Sequence, residues 1–454
     1  MVPERGIAMS TRLDRMFRLR ESGTSLGREA LGGITTFMTM SYIIFVQPAI
    51  LSKAGMDYGA VLTATCLASA LATLLTGLLS RYPIAQAPAM GHNIYFAYMV
   101  CGAVAAGGMG YSWKVALGAI VISGTVFVIL SLLGVWEKLV AAVPDSLKYG
   151  IAVGIGLLIA FVGLQYGGLV TANSNVLVEL GDFASRPALL ALSGLLLTII
   201  LMALRVPGAI LLGIIGTALL GLPMGVVKYQ GLLSAPPSLA PTFLQMDVVG
   251  AFRTGLFTVI FVFLLLDVFD AVGTLIGVGG QAGFIKNGRL PRANQAMLAD
   301  ALGTVGGALL GTSTVSSYVE SAAGIAQGAR TGLANFFTAA LFLLALFFSP
   351  VAKMIGGEYL FEGRVIHPVI APALIVVGYF MMKCVTFIRW DDLTEAIPAF
   401  LVILIMPLTL NITEGISFGF ISFSLMKLVA GRGREVNWMV YLISALFVLR
   451  YFLA

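Results

Sequence analysis

Residues 82–93 read YPIAQAPAMGHN and interrupt an otherwise apolar part of the chain. Pro83 and Pro88 disfavour the helical conformation in the residues before them, and neither carries a backbone N–H donor. We therefore expect extended backbone here, followed by a half-helix that begins near Gly91.

A similar interruption lies about 231 residues further along. Residues 311–321 read GTSTVSSYVES and have little preference for helix until Ala322. The surroundings also match, because residues 71–91 resemble residues 302–324 in their order of small-residue helix, non-helical patch and new helix start. Two readings stay open from these residues alone, a chance similarity and an internal repeat of half the chain.

The amino-acid composition shows whether these interruptions lie in a soluble protein or in a membrane protein. Charged residues make up only 11% of the 454 residues, against about 25% in a typical soluble domain, and 59% are hydrophobic. These values exclude a soluble enzyme and a disordered chain, and they predict a polytopic membrane protein. Three cysteines without paired spacing and two histidines predict no disulfide framework, no metal site and no cofactor.

Fourteen apolar runs are long enough to cross a bilayer as helices, which takes about 20 residues. They lie near 31–51, 60–80, 84–106, 113–135, 146–166, 187–205, 207–226, 250–278, 294–310, 312–328, 331–352, 367–387, 393–410 and 413–430. A last apolar stretch, 437–453, is either a further span or a helix at the membrane interface.

The distribution of Lys and Arg predicts the orientation of these segments. With the N-terminus inside, nineteen basic residues fall on the inner side and seven on the outer side, as the positive-inside rule requires. We expect a multi-pass protein of the plasma membrane, the inner membrane in a bacterium, with a cytoplasmic N-terminal tail. The net charge of +6 comes from these loops and the tail and predicts no nucleic-acid partner.

Seven segments in each half would place the two halves in opposite orientations, the inverted-repeat plan of secondary transporters. Unwound backbone at membrane depth is tolerated only where it is buried in protein or lines a cavity. Two breaks at matching positions therefore predict one central site.

Acidic residues converge on the same place. Asp267 and Asp270 are three apart in the eighth segment and share a helix face, which Thr274 extends, and Glu320 stands where the second half-helix would begin. Intramembrane acids are functional candidates by default. The alternative for each is a buried acid bonded to hydroxyls or backbone, an alternative that weighs most for Asp267.

Two carboxylates beside free backbone amides suit a planar, neutral heterocycle with alternating donors and acceptors. An inorganic anion would favour Arg or Lys near these acids. A carboxylate in such a cavity is also a natural carrier for a symported proton. The alternatives are an anion exchanger, a channel that uses the same broken helices, and a membrane enzyme, for which we find no catalytic set of residues.

Four motifs carry a resemblance that extends over residues 27 to 452. They are TTFMTMSYIIFVQPAIL at 35–51, PAMGHN at 88–93, DVFDAVGT at 267–274 and STVSSYVESAAG at 313–324. Together they resemble the nucleobase:cation symporter-2 family, and within it the hypoxanthine/guanine/adenine permease branch.

The resemblance implies fourteen spans in two inverted sevens, arranged as a core domain and a gate domain. The implied parts are a tail at 1–26, core halves at 27–135 and 249–355, and gate halves at 136–248 and 356–454. The implied substrate-binding residues are Asp270, Glu320, Asn93, Tyr318, Val319, Ser321, Gly91 and Thr274. Glu320 and Asp267 are the implied proton-coupling residues.

Three positions depart from the pattern of the family. His92 stands where the purine branch usually has an apolar residue, Gln47 stands where it usually has Asn, and Thr274 stands where the uracil carriers have His. The base preference and the route of the proton therefore stay open.

The resulting hypothesis is a secondary active transporter that imports hypoxanthine, guanine or adenine by proton symport and alternating access. It is not an enzyme and uses the proton gradient in place of a cofactor. Its expected partners are a purine nucleobase, a proton and the lipid bilayer, with a homodimer as an open possibility. The alternatives are transport of another nucleobase (xanthine, urate or uracil) and anion exchange.

Overall fold

Nearly all of the regular structure is α-helical. The computed structural model describes residues 16–134, 142–173, 175–285, 290–361 and 363–453. The first 15 residues of the predicted tail lie outside these ranges. Six of the basic residues that predicted the orientation therefore also lie outside them: Arg5, Arg12, Arg15, Lys138, Lys286 and Arg289.

The first half of the chain forms helices α1 to α8. They are α1 (Leu26–Met40), α2 (Ile43–Leu51), α3 (Tyr58–Leu79), α4 (Met90–Ile94), α5 (Trp113–Leu133), α6 (Asp145–Tyr166), α7 (Arg186–Ala203) and α8 (Ala209–Gly221). A π-helical turn, Tyr95–Val100, continues α4.

The second half forms helices α9 to α18. They are α9 (Val248–Arg253), α10 (Phe257–Gln281), α11 (Ala293–Leu310), α12 (Ser321–Ala326), α13 (Leu333–Ala345), α14 (Ser349–Gly356), α15 (Ala371–Met382), α16 (Leu393–Thr409), α17 (Ile412–Val429) and α18 (Trp438–Leu453).

Antiparallel strand pairs accompany the helices. Two are local hairpins, β2 (Val170–Asn173) with β3 (Leu177–Leu180) and β5 (Tyr359–Phe361) with β6 (Arg364–Ile366). A third pair joins the two halves of the chain, β1 (Gln86–Pro88) with β4 (Val315–Ser317).

Local signals in the sequence set several helix ends. The Asp57 carboxylate accepts a hydrogen bond from the Ala60 backbone N–H at 2.7 Å and caps α3, as Asp residues directly before the first turn of a helix commonly do. Asn411 caps α17 in the same way, through the backbone N–H of Glu414. Gly134 ends α5 with a φ of 65°, a conformation that glycine adopts at little steric cost.

Eight described helices are long and apolar enough to cross a membrane: Leu26–Ala54, Tyr58–Leu79, Trp113–Leu133, Asp145–Tyr166, Arg186–Ala203, Phe257–Gly280, Leu333–Gly356 and Ile412–Val429. The other predicted segments correspond to α11, to the shorter apolar helices α8, α15 and α16, and to the two broken segments. All fourteen predicted segments therefore have a counterpart, and the predicted all-α polytopic fold with broken third and tenth segments is confirmed.

The helices pack in two groups. In the first group, α11 packs against α3 and α5, and α13 packs against α1 and α3. In the second group, α6 packs along α15 and α16, while α17 packs on α16 and α18. The two groups draw on the segments assigned to the core and the gate, whose boundaries as separate domains stay a prediction.

The last apolar stretch forms α18, which lies against α17. The hydroxyl oxygens of Ser444 and Ser424 are 2.7 Å apart, and Ser444 donates to the Phe420 carbonyl at 2.8 Å. The 16 residues of α18 span about 24 Å at about 1.5 Å per residue. This length is shorter than the roughly 30 Å hydrocarbon core of a typical bilayer.

Glycines allow a very close approach of α1 to α12. A Cβ atom added to Gly324 would lie 2.3 Å from the Gly32 carbonyl oxygen and 2.1 Å from Thr36 Oγ1. Such contacts are possible only without a side chain, so this pair fixes the second half-helix against the first helix of the chain. Small residues commonly serve this purpose between membrane helices.

Candidate functional site

The two broken segments cross at the strand pair β1–β4. Gln86 pairs with Ser317, and Pro88 pairs with Val315. The pairing continues beyond both strands, because the Tyr318 N–H donates to the Ala85 carbonyl and the Ala89 N–H donates to the Thr314 carbonyl, each at 3.0 Å. The unwound backbone of each half is thus satisfied by the other half, as membrane depth requires.

Buried amide side chains hold the start of each break. Asn335 Nδ2 on α13 donates to the carbonyl oxygens of Thr73, Tyr82 and Ile84, at 3.0, 3.2 and 3.0 Å. Gln47 Nε2 on α2 plays the equivalent part for the second break, donating to the hydroxyls of Thr312 (2.9 Å) and Ser313 (3.0 Å). Each contact joins one half of the chain to the other.

A cavity opens where the two half-helices begin. Its walls come from both breaks, from α10 and, on the opposite side, from α6 and α15 of the second packing group. The lining residues are Tyr42, Ala89, Met90, Gly91, His92, Ile155, Asp270, Thr274, Ser317, Tyr318, Val319, Glu320, Val377, Phe380 and Met381.

Six of the predicted substrate-binding residues line this cavity together. They are Gly91, Asp270, Thr274, Tyr318, Val319 and Glu320. Asp270, on α10, and Glu320, directly before α12, therefore line one space although they lie in different segments. Among the described lining residues there is no Lys or Arg.

Glu320 immediately precedes α12, and its carboxyl group is held by a neighbour from the first helix pair. The Tyr42 hydroxyl donates to Glu320 Oε1 at 2.8 Å. This arrangement fixes one carboxylate oxygen and leaves the group at the cavity wall, able to accept hydrogen bonds from a ligand.

The structure places the other predicted residues behind the cavity wall. The Asn93 side-chain oxygen accepts a hydrogen bond from the Ser313 hydroxyl, and Ser321 Oγ accepts one from the Ala85 N–H at 3.0 Å. Both contacts join the two breaks. Asp267 is fully buried and is not among the lining residues.

Asp267 lies instead next to His92. The Nε2 atom of His92 is 3.1 Å from Asp267 Oδ1, while Thr304 Oγ1 donates to Asp267 Oδ2 at 3.4 Å. Of the two neighbouring acids on α10, Asp270 thus faces the cavity and Asp267 faces the supporting layer beneath it.

A second buried acid supports the strand pair. Asp300 on α11 accepts hydrogen bonds from Gln86 Nε2 and from the Ser317 hydroxyl, both at 2.9 Å. Gln86 lies on β1 and Ser317 on β4, so one carboxylate bridges the two halves directly behind the cavity.

Sequence reasoning missed Tyr42 and the wall formed by the second packing group. Tyr42 lies in one of the four motifs, but its contact with Glu320 spans 278 residues and leaves no local signal. Ile155, Phe380 and Met381 are apolar residues of membrane helices, and nothing in the sequence separates them from residues that face lipid.

Comparisons with known proteins give the class and then the family. The chain is a membrane permease, since residues 27–418 match the model of the Permease family called Xan_ur_permease. It belongs to the nucleobase:cation symporter-2 family. The predicted family resemblance is thereby confirmed, and the chain is a transporter and not an enzyme.

Its relatives cover nearly the whole chain. A Methanocaldococcus jannaschii protein described as a permease is 50% identical over 97% of this chain and 98% of its own length. The adenine permease AdeP of Escherichia coli is 42% identical over 96% of this chain and 95% of its own. The guanine/hypoxanthine permease PbuO of Bacillus subtilis is 42% identical over 96% of this chain and 100% of its own.

A solved structure shares the fold. The transmembrane domain of a cyanobacterium bicarbonate transporter, BicA, matches with a TM-score of 0.61 at 16% identity and covers 87% of this chain and 97% of its own. The chain therefore has the seven-plus-seven inverted-repeat fold predicted from its sequence.

Proposed function

We propose that this protein is a secondary active transporter that imports purine nucleobases, with hypoxanthine, guanine and adenine as substrates, by proton symport. The observation that carries the proposal is the cavity that Asp270 and Glu320 line together. The printed names of the relatives AdeP and PbuO, an adenine permease and a guanine/hypoxanthine permease, support the substrate class.

The chemistry of the cavity fits a neutral planar base. The carboxylates of Asp270 and Glu320 accept hydrogen bonds from ring N–H groups and exocyclic amines, and backbone N–H groups at the half-helix starts donate to a carbonyl or a ring nitrogen. Phe380 and Tyr318 add aromatic side chains to the lining. A free anion would find no Arg or Lys among the described lining residues.

A symported proton fits the electrostatics of the same place. A charged carboxylate at membrane depth is costly, so a proton that binds together with the substrate lowers the cost of moving the loaded site. Glu320 and Asp267 are our candidates for the proton-carrying groups.

The two packing groups support alternating access as the transport mechanism. In our proposal the core (27–135 and 249–355) carries the breaks and the acids, and the gate (136–248 and 356–454) carries the apolar wall that includes Ile155 and Phe380. Rocking of the gate against the core would open the cavity to each side in turn. We also propose a cytoplasmic N-terminus, a location in the plasma membrane, and a homodimer as the assembly to test first.

Uptake of radiolabelled hypoxanthine into proteoliposomes with an imposed pH gradient tests the proposal. We expect saturable uptake that an excess of guanine or adenine inhibits, whereas uracil, xanthine, urate and bicarbonate inhibit weakly. Asp270→Asn should abolish this uptake while the protein stays in the membrane. Asp145→Asn is the matched control, because the Asp145 side chain is 74% exposed and pairs only locally with Lys148.

Two results would contradict the proposal. One is unimpaired uptake by Asp270→Asn, which would show that the cavity is not part of the transport route. The other is preferential inhibition by bicarbonate, which would favour anion exchange on the same fold.

A further inference from the structure

A buried pair of ionisable side chains lies directly beneath the cavity. His92 Nε2 is 3.1 Å from Asp267 Oδ1, with His92 on α4 and Asp267 on α10. The pair therefore joins the first break to the helix that carries Asp270.

The surroundings of Asp267 include the His92 ring and the hydroxyl groups of Thr304 and Thr314, and of these three only His92 can carry a positive charge. Thr304 has a single hydroxyl proton, which it donates to the Val315 carbonyl at 2.9 Å and to Asp267 only at 3.4 Å. The shorter contact is the stronger one. A buried carboxylate is costly unless it is hydrogen-bonded or lies beside a positive charge. The His92 ring can donate an N–H to Asp267 when it is neutral and carries a positive charge beside Asp267 when it is protonated.

In the part of the chain that the structure describes, the pair is connected to the cavity through His92. Asp267 is 0% exposed, whereas His92 is 3% exposed and belongs to the cavity lining. The imidazole ring thus stands between the cavity and the buried carboxylate. A proton that moves from the cavity to Asp267 would meet this ring first.

Among the described residues, the other ionisable groups that line the cavity or interact with the pair belong to the core side. They are Asp270 on α10, Asp300 on α11, Glu320 and Tyr318 at the second break, and Tyr42 before α2. On the gate side, the described lining residues are Ile155, Val377, Phe380 and Met381, and none of them ionises. The charge of the pair is therefore set by the core, and it stays with the core when the gate moves.

We infer that His92 and Asp267 form a proton-binding pair, separate from Glu320 and Tyr42, through which the symported proton is carried. One proton from the cavity binds the pair and changes its net charge from −1, a carboxylate with neutral imidazole, to zero, a carboxylate with imidazolium. The same proton leaves through His92 after the cavity has opened to the other side. The inference rests on the proposed proton symport and assigns the proton to named atoms.

His92→Gln separates proton coupling from substrate binding, because glutamine keeps a donor of similar reach but cannot take up the proton. The test uses proteoliposomes with a gradient of one pH unit. Wild-type protein that carries one proton per base accumulates hypoxanthine up to about tenfold there, because one pH unit and a tenfold ratio of hypoxanthine both correspond to about 1.4 kcal/mol. We expect His92→Gln to lose this accumulation and to retain hypoxanthine exchange across the membrane, which needs no net proton movement. His367→Gln is the matched control, since it makes the same change at the other histidine of the chain, away from the cavity lining.

Each other outcome has a distinct meaning. Accumulation at the wild-type level by His92→Gln would overturn the inference. Loss of both exchange and accumulation would also overturn it, because His92 would then serve binding or folding. Absence of gradient-driven accumulation in the wild-type protein would instead overturn the proposed symport itself.

Nuclear magnetic resonance of protein with ¹⁵N-labelled histidine provides a readout that needs no transport. With two histidines in the chain, the His92 signals are identified by their loss in His92→Gln. We expect Asp267→Asn to move the ¹⁵N signals of the His92 ring at a fixed pH and Asp145→Asn to leave them in place. Identical His92 signals in Asp267→Asn and wild-type protein would overturn the pair.

Discussion

After β1 the chain enters α4 with Gly91, His92 and Asn93, whereas after β4 it enters α12 directly behind Glu320. Both breaks use the same backbone arrangement, a short strand and then a half-helix. The second break brings a carboxylate to the cavity wall and holds it with the Tyr42 hydroxyl. The first brings backbone and an imidazole, and its Asn93 turns back to bond the second break.

The breaks also differ in what they pack against. Gly91 faces the gate side, where an added Cβ would lie 2.6 Å from Cγ2 of Ile155, while Gly324 faces backbone of α1. One half-helix thus borders a surface that moves in our proposal, and the other is anchored within the core. The two breaks therefore share a backbone arrangement but have different roles.

The largest effect should follow from removing the charge that distinguishes the second break. Glu320→Gln should lower hypoxanthine uptake by about 100-fold, since a hydrogen bond to a charged group contributes up to about 3 kcal/mol. Initial rates of uptake, normalised to the amount of protein in the membrane, measure this effect. Glu358→Gln, at a side chain that is 59% exposed, should transport like the wild-type protein; equal losses in the two variants would contradict the assignment.

A smaller effect should separate the two glycines. Gly324→Ala should destabilise the protein by about 2 kcal/mol, because overpacking against backbone typically costs about 1–3 kcal/mol. Gly91→Ala meets a side chain that can rotate, so we expect it to lower the transport rate with little loss of stability. Thermal unfolding in detergent, measured beside uptake, distinguishes the variants, and the reverse pattern would show that the first break is the anchored one.

The smallest effect should come from the hydroxyl that holds Glu320. Tyr42→Phe removes the donor to Glu320 Oε1 and should weaken hypoxanthine binding by about tenfold, or about 1.4 kcal/mol. Binding to purified protein measures the change. Tyr58→Phe removes a comparable hydroxyl, which donates to the Ala352 carbonyl at 2.9 Å, and unchanged binding is expected there. Unchanged hypoxanthine binding by Tyr42→Phe would show that Glu320 does not need the hydrogen bond from Tyr42 to hold its position.

Much of this comparison could be predicted from sequence because the breaks depend on local signals. The first half-helix is predicted near Gly91 and begins at Met90, and the second is predicted to form from Ala322 and begins at Ser321. Prolines and runs of Ser and Thr act within a few residues, so their effect is visible in one stretch. Asp270 and Glu320 were found because acids are rare in membrane segments.

The parts that could not be predicted depend on partners far apart in the chain. Tyr42 and Glu320 are 278 residues apart, and His92 meets Asp267 only because the first break crosses α10. Asn93 and Ser321 look like lining residues from their places beside the breaks, yet the structure turns both toward the opposite break. Which side of a half-helix meets the cavity is set by tertiary packing, and a single sequence does not record it.

The pairing of β1 with β4 also has a consequence for biosynthesis. Ser317 follows its partner Gln86 by 231 residues, so at about 5–20 residues per second the ribosome makes β4 roughly 10–50 s after β1. Until then, the unwound backbone of the first break has no strand to satisfy it, although an unsatisfied polar group in lipid costs several kcal/mol. Insertion of the first seven segments therefore leaves an unfinished intermediate, which is completed only when the tenth segment leaves the translocation machinery.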